Sequence, residues 1–242
     1  MSTLTRQRVA VATGLRTFLR ERTNLVLLVV LPPTVLLVFD VTLETMAEAP
    51  GLDVPPAAAE LGGALFATAF LAGLLGLFQV VGSSQTDRRL VVCGYRPWEV
   101  LTARLLTIVA ASALVAGLVY GTFVALSDVT PAAPTLTVGA LLLAAVTYGL
   151  IGVIIGSVLD RELEGSLVLV FLADFDAFAA LGVIPMDHDI VDYVPLAHPH
   201  SVLESAVHDG SLATGDALVA VGYVIGLTAV ALLAVTIRGG RS

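Results

Sequence analysis

The sequence predicts an all-α integral membrane protein of six transmembrane helices, and three observations lead there. Of its 242 residues 57% are hydrophobic and only 13% are charged. The mean hydropathy is +0.95. All the basic residues fall in segments that six spans would place on one side of a membrane. Soluble domains carry about 25% charged residues, because a water-facing surface needs them. A chain with half that share must present much of its surface to lipid, and its length suits one polytopic unit with little left for a soluble domain.

A spanning helix needs about 20 mostly apolar residues to cross roughly 30 Å of hydrocarbon. Six runs qualify, at about 25–43, 61–81, 104–126, 136–159, 166–184 and 215–237. The fourth and fifth are separated only by Asp160 to Gly165 (DRELEG), whose four charges do not belong in hydrocarbon. The chain has no lysine, so all twelve basic residues are arginines. Arg6, Arg8, Arg16, Arg20 and Arg22 precede the first run. Arg88, Arg89, Arg96 and Arg104 lie between or at the edges of the second and third. Arg161 separates the fourth and fifth, and Arg238 and Arg241 follow the sixth. The opposite loops, 44–60, 127–135 and 185–214, contain none. The positive-inside rule makes the arginine side cytoplasmic, with both termini there, in a multi-pass protein of the cell (plasma) membrane.

Acids outnumber bases by eight, and the pI is about 4.8. Drift in base composition would give this pattern. So would life in high salt, the composition seen in halophilic archaea, where acidic, lysine-poor surfaces keep proteins soluble; we favour the second. Either way there is no basic footprint for nucleic acid. The single cysteine, Cys93, allows no intrachain disulfide. The arginine-rich start has no long apolar run or small-residue cleavage site and does not read as a secretory signal.

Within residues 1–24, the stretch 3–23 places Val9, Ala12, Leu15, Phe18 and Leu19 at helical spacing opposite arginines. That pattern predicts an amphipathic helix on the inner interface rather than a floppy basic tail. Pro32-Pro33 predicts a kink in the first span. Gly117/Gly121, Gly152/Gly156 and Gly222/Gly226 are spaced for close helix approach. The loop 82–103 (GSSQTDRRLVVCGYRPWEVLTA) alternates charges with apolar residues. It reads as a short helix docking on something cytoplasmic, or as an ordinary surface turn. Pro97 opens the next helix at its first turn, and Trp98 belongs at headgroup level. The outer segment 185–214 is too polar to span and too apolar for a plain loop. Within it, 195–206 (PLAHPHSVLESA) predicts a short re-entrant or interfacial helix.

Asp174 and Asp176 fall mid-span in the fifth run, and intramembrane acids usually face the bundle interior or water. Two residues apart, they point about 200° from each other on a helix, so they cannot form one carboxylate pair. At most one lines a path; structural roles inside the bundle are the competing reading. All four histidines (His188, His198, His200, His208) share the outer segment with Asp187, Asp189 and Asp192. Those are metal-ligand types, but none of their spacings is a strong metal motif, and no metal site is assigned. There is no GxSxG, HExxH or paired-Glu motif for hydrolysis. A phosphate-binding P-loop needs a lysine that the chain lacks. The chain is therefore expected not to be an enzyme and to bind no cofactor.

The basic amphipathic start, the proline-bearing first span, the charged loop after span two and the semi-apolar outer segment occur in that order. With FLRERTNLVLLVVLPPTVLLV (18–38), DRRLVVCGYRPWEVLTARLL (87–106) and YVPLAHPHSVLESA (193–206), the chain resembles the permease subunits of ABC-2 type transporters. The likeness runs over essentially the whole chain, 1–242, as a single permease domain with an interfacial helix at 1–24 and a six-helix bundle at 25–237. It implies that residues 87–99 form the coupling helix that sits on a separate cytoplasmic ATPase. Arg88, Arg89, Leu90, Tyr95, Arg96, Pro97, Trp98 and Glu99 would then be the coupling residues. The family often has an acidic-Gly-Thr-Leu run at the start of this loop, where this chain has Arg88-Arg89-Leu90-Val91. The likeness also implies that ATP and Mg are held by the partner ATPase, that two permease copies form the path, that the direction is export, and that 185–214 carries re-entrant helices. The readings of other classes are a stand-alone secondary transporter or channel using Asp174 or Asp176 as a relay, and a haem-handling assembly subunit. The first would be favoured by an inverted repeat, which residues 25–126 and 136–237 do not display.

Overall fold

A computed structural model describes residues 9, 11–14, 16, 22–47, 56–92, 97–159, 161–184, 191 and 193–241, with the side chains of 83–92 and 97–101 and of some residues at other helix ends not described. The described chain is helical, without strands. Its helices are α1 (Arg22–Ala47), α2 (Pro56–Val92), α3 (Pro97–Leu126), α4 (Pro134–Val158), α5 (Glu162–Ala180), α6 (Ala197–His208) and α7 (Thr214–Arg241). Among the described residues, four stretches are long and apolar enough to cross a membrane: Glu60–Gly82, Thr102–Leu126, Pro134–Val158 and Thr214–Thr236. A shorter apolar stretch, Leu25–Phe39, lies in α1.

Each of the six expected runs lies wholly or largely within one helix. The helices overrun the apolar runs where the flanking residues still favour helix. α3 begins at Pro97, whose missing N–H costs nothing in a first turn. α1 continues through Pro32 and Pro33 to Ala47. At the amino end, residues 9, 11–14 and 16 are helical, and Gly14 packs on Thr107 of α3, where an added Cβ would lie 3.1 Å from the threonine methyl.

The core sits where α2 and α4 cross. The two backbones touch: a Cβ at Gly76 would lie 2.0 Å from the Gly149 carbonyl oxygen, and one at Gly152 would lie 2.0 Å from that of Gly73. Only glycine permits such an approach, and the contact repays it with dispersion along both helices. Of the three glycine pairs expected from the sequence, Gly152/Gly156 makes this contact. Gly117/Gly121 and Gly222/Gly226 face open space. Stacked rings tie α1 and α5 to the same core, with Phe39 5.2 Å from Phe66 and 5.6 Å from Phe178 between centroids.

α5 runs antiparallel to α2. Gly165 near its start packs against Leu77, Leu169 meets Gly73, and Leu181 just past its end meets Gly62. The helix stops there through a left-handed Gly182 (φ 70°): Gly182 N donates to Ala179 O at 3.1 Å and Val183 N to Phe178 O at 3.0 Å. These two bonds satisfy carbonyls that the helix end would otherwise orphan. Two further contacts mark the same end of the bundle. The Ser127 hydroxyl after α3 bonds to the Glu60 carboxylate at the start of the apolar stretch of α2. Ala132 N and Ala133 N, just before α4, donate to Val207 O and Ala206 O of α6 at 2.9 and 3.0 Å.

Candidate functional site

α6 is the helix expected at 195–206, shifted two residues. Pro199, Val202, Leu203, Ala206 and Val207 are buried at helical spacing, while Glu204 and His208 are exposed. Proline is tolerated at 199 because it lies in the first turn. The helix is too short to span and lies on the bundle end beside α4, α5 and α7.

Two polar junctions hold it. The first centres on Asp176, only 2% exposed. The fully buried Tyr148 of α4 donates its hydroxyl to Asp176 Oδ2 at 2.5 Å, with the Leu172 carbonyl 3.3 Å away as a weaker second acceptor. The backbone N–H of Leu196, at the entrance to α6, donates to the same carboxylate. One acid therefore joins α4, α5 and the start of α6. In the second junction, His198 Nδ1 lies 2.8 Å from Asp216 Oδ1 in the first turn of α7. Beside it the Tyr223 hydroxyl donates to the Tyr193 carbonyl at 3.0 Å.

Asp174 occupies different ground. It is half-buried, and it stands on the flank of α5 that carries Leu163, Leu167, Phe171 and Phe175, all exposed and spaced four residues apart. Asp176 belongs to the opposite stripe with buried Leu169, Ala173 and Ala177. The two carboxylates thus diverge as helix geometry requires. They do not lie mid-helix, however. α5 ends at Ala180 rather than 184, so Asp176 is four residues, about 6 Å, from its end. The Gly182 cap is the reason.

The histidines are dispersed. His198 pairs with Asp216. The Nε2 of His200 is buried without a hydrogen-bond partner, and burial pushes its pKa below the ordinary histidine value, opposed by the Glu204 charge. His208 is exposed. His188, Asp187, Asp189 and Asp192 lie outside the described residues, and among the described residues no three ligand-type side chains gather.

For the expected coupling segment 87–99, α2 continues as one helix through Asp87 to Val92, and α3 begins at Pro97. Residues 87–92 are thus an extension of α2 rather than a separate short helix. Tyr95 and Arg96 lie outside the described residues, as do the side chains of Arg88, Arg89, Leu90, Pro97, Trp98 and Glu99. Sequence reading missed Tyr148, the partner of Asp176. The one phenol in an otherwise largely aliphatic run, beside Thr147, was the available signal. No protein-family model matches the chain, and comparison with curated proteins finds no match.

Proposed function

We propose that this chain is the membrane-embedded permease subunit of an ATP-binding-cassette exporter, crossing the plasma membrane six times with both termini cytoplasmic. The order of the parts carries the reading. α2 runs on from Gly82, where its apolar stretch ends, to Val92, about 15 Å further. That extension presents Asp87, Arg88 and Arg89 beyond the bilayer, and a short α6 covers the other end between α5 and α7. Six crossings are supported by α5, which packs along the apolar length of α2 from Leu77 to Gly62 and so traverses the same layer. A chain without a P-loop lysine needs a separate ATPase, which would hold ATP and Mg and dock on residues 87–99.

Asp174 supports a second copy. A carboxylate among exposed Leu167, Phe171 and Phe175 is costly against lipid, up to roughly 2.5–3.5 kcal/mol at a bilayer's centre and less toward its edge, so that flank is better covered by water and another protomer. Two copies facing each other there would enclose a path with Asp174 on its wall, while Asp176 holds the outer helix. The same residue favours a second reading, a stand-alone secondary transporter with Asp174 as a relay.

The experiment is co-purification with a co-expressed candidate ATPase, comparing the wild type with Arg88→Glu/Arg89→Glu. The permease reading expects the double variant to insert normally yet retain less ATPase, with hydrolysis uncoupled from transport. Undiminished capture with coupled hydrolysis would remove the docking role. Transport in vesicles without any ATPase would establish the alternative.

A further inference from the structure

The sequence of α5 sets Asp174 between two aromatic rings, with Phe171 three residues before it and Phe178 four residues after it. Residues at those spacings are neighbours on one helix face, their Cβ atoms about 5–6 Å apart. Phe178 is half-buried, and its ring is stacked 5.6 Å from that of Phe39 in α1. Phe171 is 71% exposed. One ring is thus fixed by the bundle, and the other stands free on the far side of the carboxylate. Asp174 itself has no hydrogen-bond or ion-pair partner among the described residues. α5 carries no basic residue, and Arg161, just before it, is already paired with Glu164 at 2.9 Å. Asp176 differs, because Tyr148 and the Leu196 N–H satisfy it. An acid left without such partners inside a membrane bundle marks a path for a substrate or ion.

From this arrangement we infer that Asp174, with Phe171 and Phe178, binds a lipophilic organic cation, such as a quaternary ammonium or phosphonium ion bearing apolar groups. Three physical points lead there. The carboxylate attracts positive charge, and the attraction is stronger where water is partly excluded. Aromatic faces carry the negative end of a quadrupole, so both rings favour the same sign of charge as the acid does. The rest of the flank, Leu167 and Phe175, is apolar and exposed, and it suits the groups around a diffuse cation. A bare metal ion fits less well, because hard cations take about six oxygen ligands and this flank offers a single carboxylate. An anion would meet only repulsion here. The inference deepens the reading of this flank as the wall of a transport path and rests on it.

The test uses purified full-length protein in nanodiscs of neutral lipid, titrated with tetraphenylphosphonium or tetraphenylborate. The two ions share a shape and differ in the sign of their charge. Binding is measured by equilibrium dialysis against empty nanodiscs. The wild type should bind tetraphenylphosphonium saturably and tetraphenylborate no more than empty discs do. Asp174→Asn should weaken the phosphonium about tenfold or more. Phe171→Leu, which keeps an apolar side chain but loses the ring, should weaken it about two- to fivefold. Glu164→Gln, at an exposed acid of the same helix, should bind as the wild type does. Absent or charge-blind binding by the wild type would overturn the inference. So would undiminished binding by Asp174→Asn or Phe171→Leu, or an equal loss in Glu164→Gln. If Asp174→Asn does not fold, the wild-type preference between the two ions and the Phe171→Leu result decide. No nucleotide or ATPase enters the measurement, so the two readings fail separately. Saturable cation binding without ATPase capture would remove the permease and keep the site, and ATPase capture without cation binding would do the reverse.

Discussion

Tyr148 and Asp176, 28 residues apart in sequence, meet in a 2.5 Å hydrogen bond that is buried between α4 and α5. The same carboxylate accepts the Leu196 N–H, so a single acid fastens the entrance of α6 to two helices of the bundle. Hydrogen bonds to a charged or polar acceptor in such surroundings are worth more to keep than to make, because the deserted partner stays desolvated.

Tyr148→Phe should therefore lower stability by about 1.5–3 kcal/mol, and Asp176→Leu by at least as much, since it removes the Leu196 N–H acceptor and leaves Tyr148 only the weaker Leu172 carbonyl. Asp174→Asn should change stability by less than about 0.5 kcal/mol but, on the permease reading proposed above, impair transport. The measurement is thermal unfolding in detergent beside vesicle transport. Equal effects of Asp174 and Asp176 substitutions on both readouts would sink the division of roles.

The contact between α2 and α4 gives a second prediction. A methyl at Gly76 or Gly152 would meet backbone carbonyls, which cannot turn aside as a side chain can. Gly76→Ala and Gly152→Ala should each destabilise by about 1–3 kcal/mol. Gly117→Ala and Gly222→Ala meet open space and should be neutral or gain up to about 1 kcal/mol from helix propensity. Comparable losses at all four would show that these helices do not pack as described.

The contrast among those glycines shows what the sequence could disclose. Hydropathy located the helices because a lipid-facing surface leaves few other solutions. Gly117/Gly121, Gly152/Gly156 and Gly222/Gly226 have the same spacing, yet only one pair meets a neighbour, and which stripe turns inward depends on packing between helices far apart in the chain. The partner, Gly73 with Gly76, has a spacing of three and escaped notice. The divergence of Asp174 and Asp176 was legible from helix geometry alone. Their depth was not, because the left-handed Gly182 ends α5 within an apolar run that would otherwise continue to 184. Tyr148 could not be assigned to Asp176 without knowing that α4 and α5 pack side by side.

His200 gives a pH dependence. Its pKa in the folded protein lies below the ordinary value of 6.5, because burial disfavours the imidazolium. Above pH 6.5 the imidazole is neutral in both states, and its contribution to stability is fully present. As pH falls through 6.5 the unfolded chain takes up a proton that the folded one resists, so stability declines. The slope is at most about 1.4 kcal/mol per pH unit, and it levels off below the folded pKa. Thermal unfolding between pH 7.5 and 5 should fall more steeply for the wild type than for His200→Gln. Identical slopes would mean that the ring is not buried against the bundle.

Membrane topology supplies the last prediction, and it turns on α1 and α5. Suppose only the four stretches at Glu60–Gly82, Thr102–Leu126, Pro134–Val158 and Thr214–Thr236 crossed the bilayer. The amino end and Arg161 would then lie on opposite sides, and the arginines would be divided between the two faces. With α1 and α5 also crossing, every arginine falls on one side, as the positive-inside rule favours. The packing of α5 along α2 argues the same way, because a helix flanked by a spanning neighbour over that length has no other layer to occupy. Single cysteines introduced into a Cys93→Ser background at positions 2, 161, 52, 131 and 190 distinguish the two arrangements. An impermeant thiol reagent applied to intact cells should modify 52, 131 and 190. Positions 2 and 161 should react only after the membrane is opened. Opposite accessibility of 2 and 161 would reduce the bundle to four crossings and, with that, place residues 87–99 on the opposite side from the amino end.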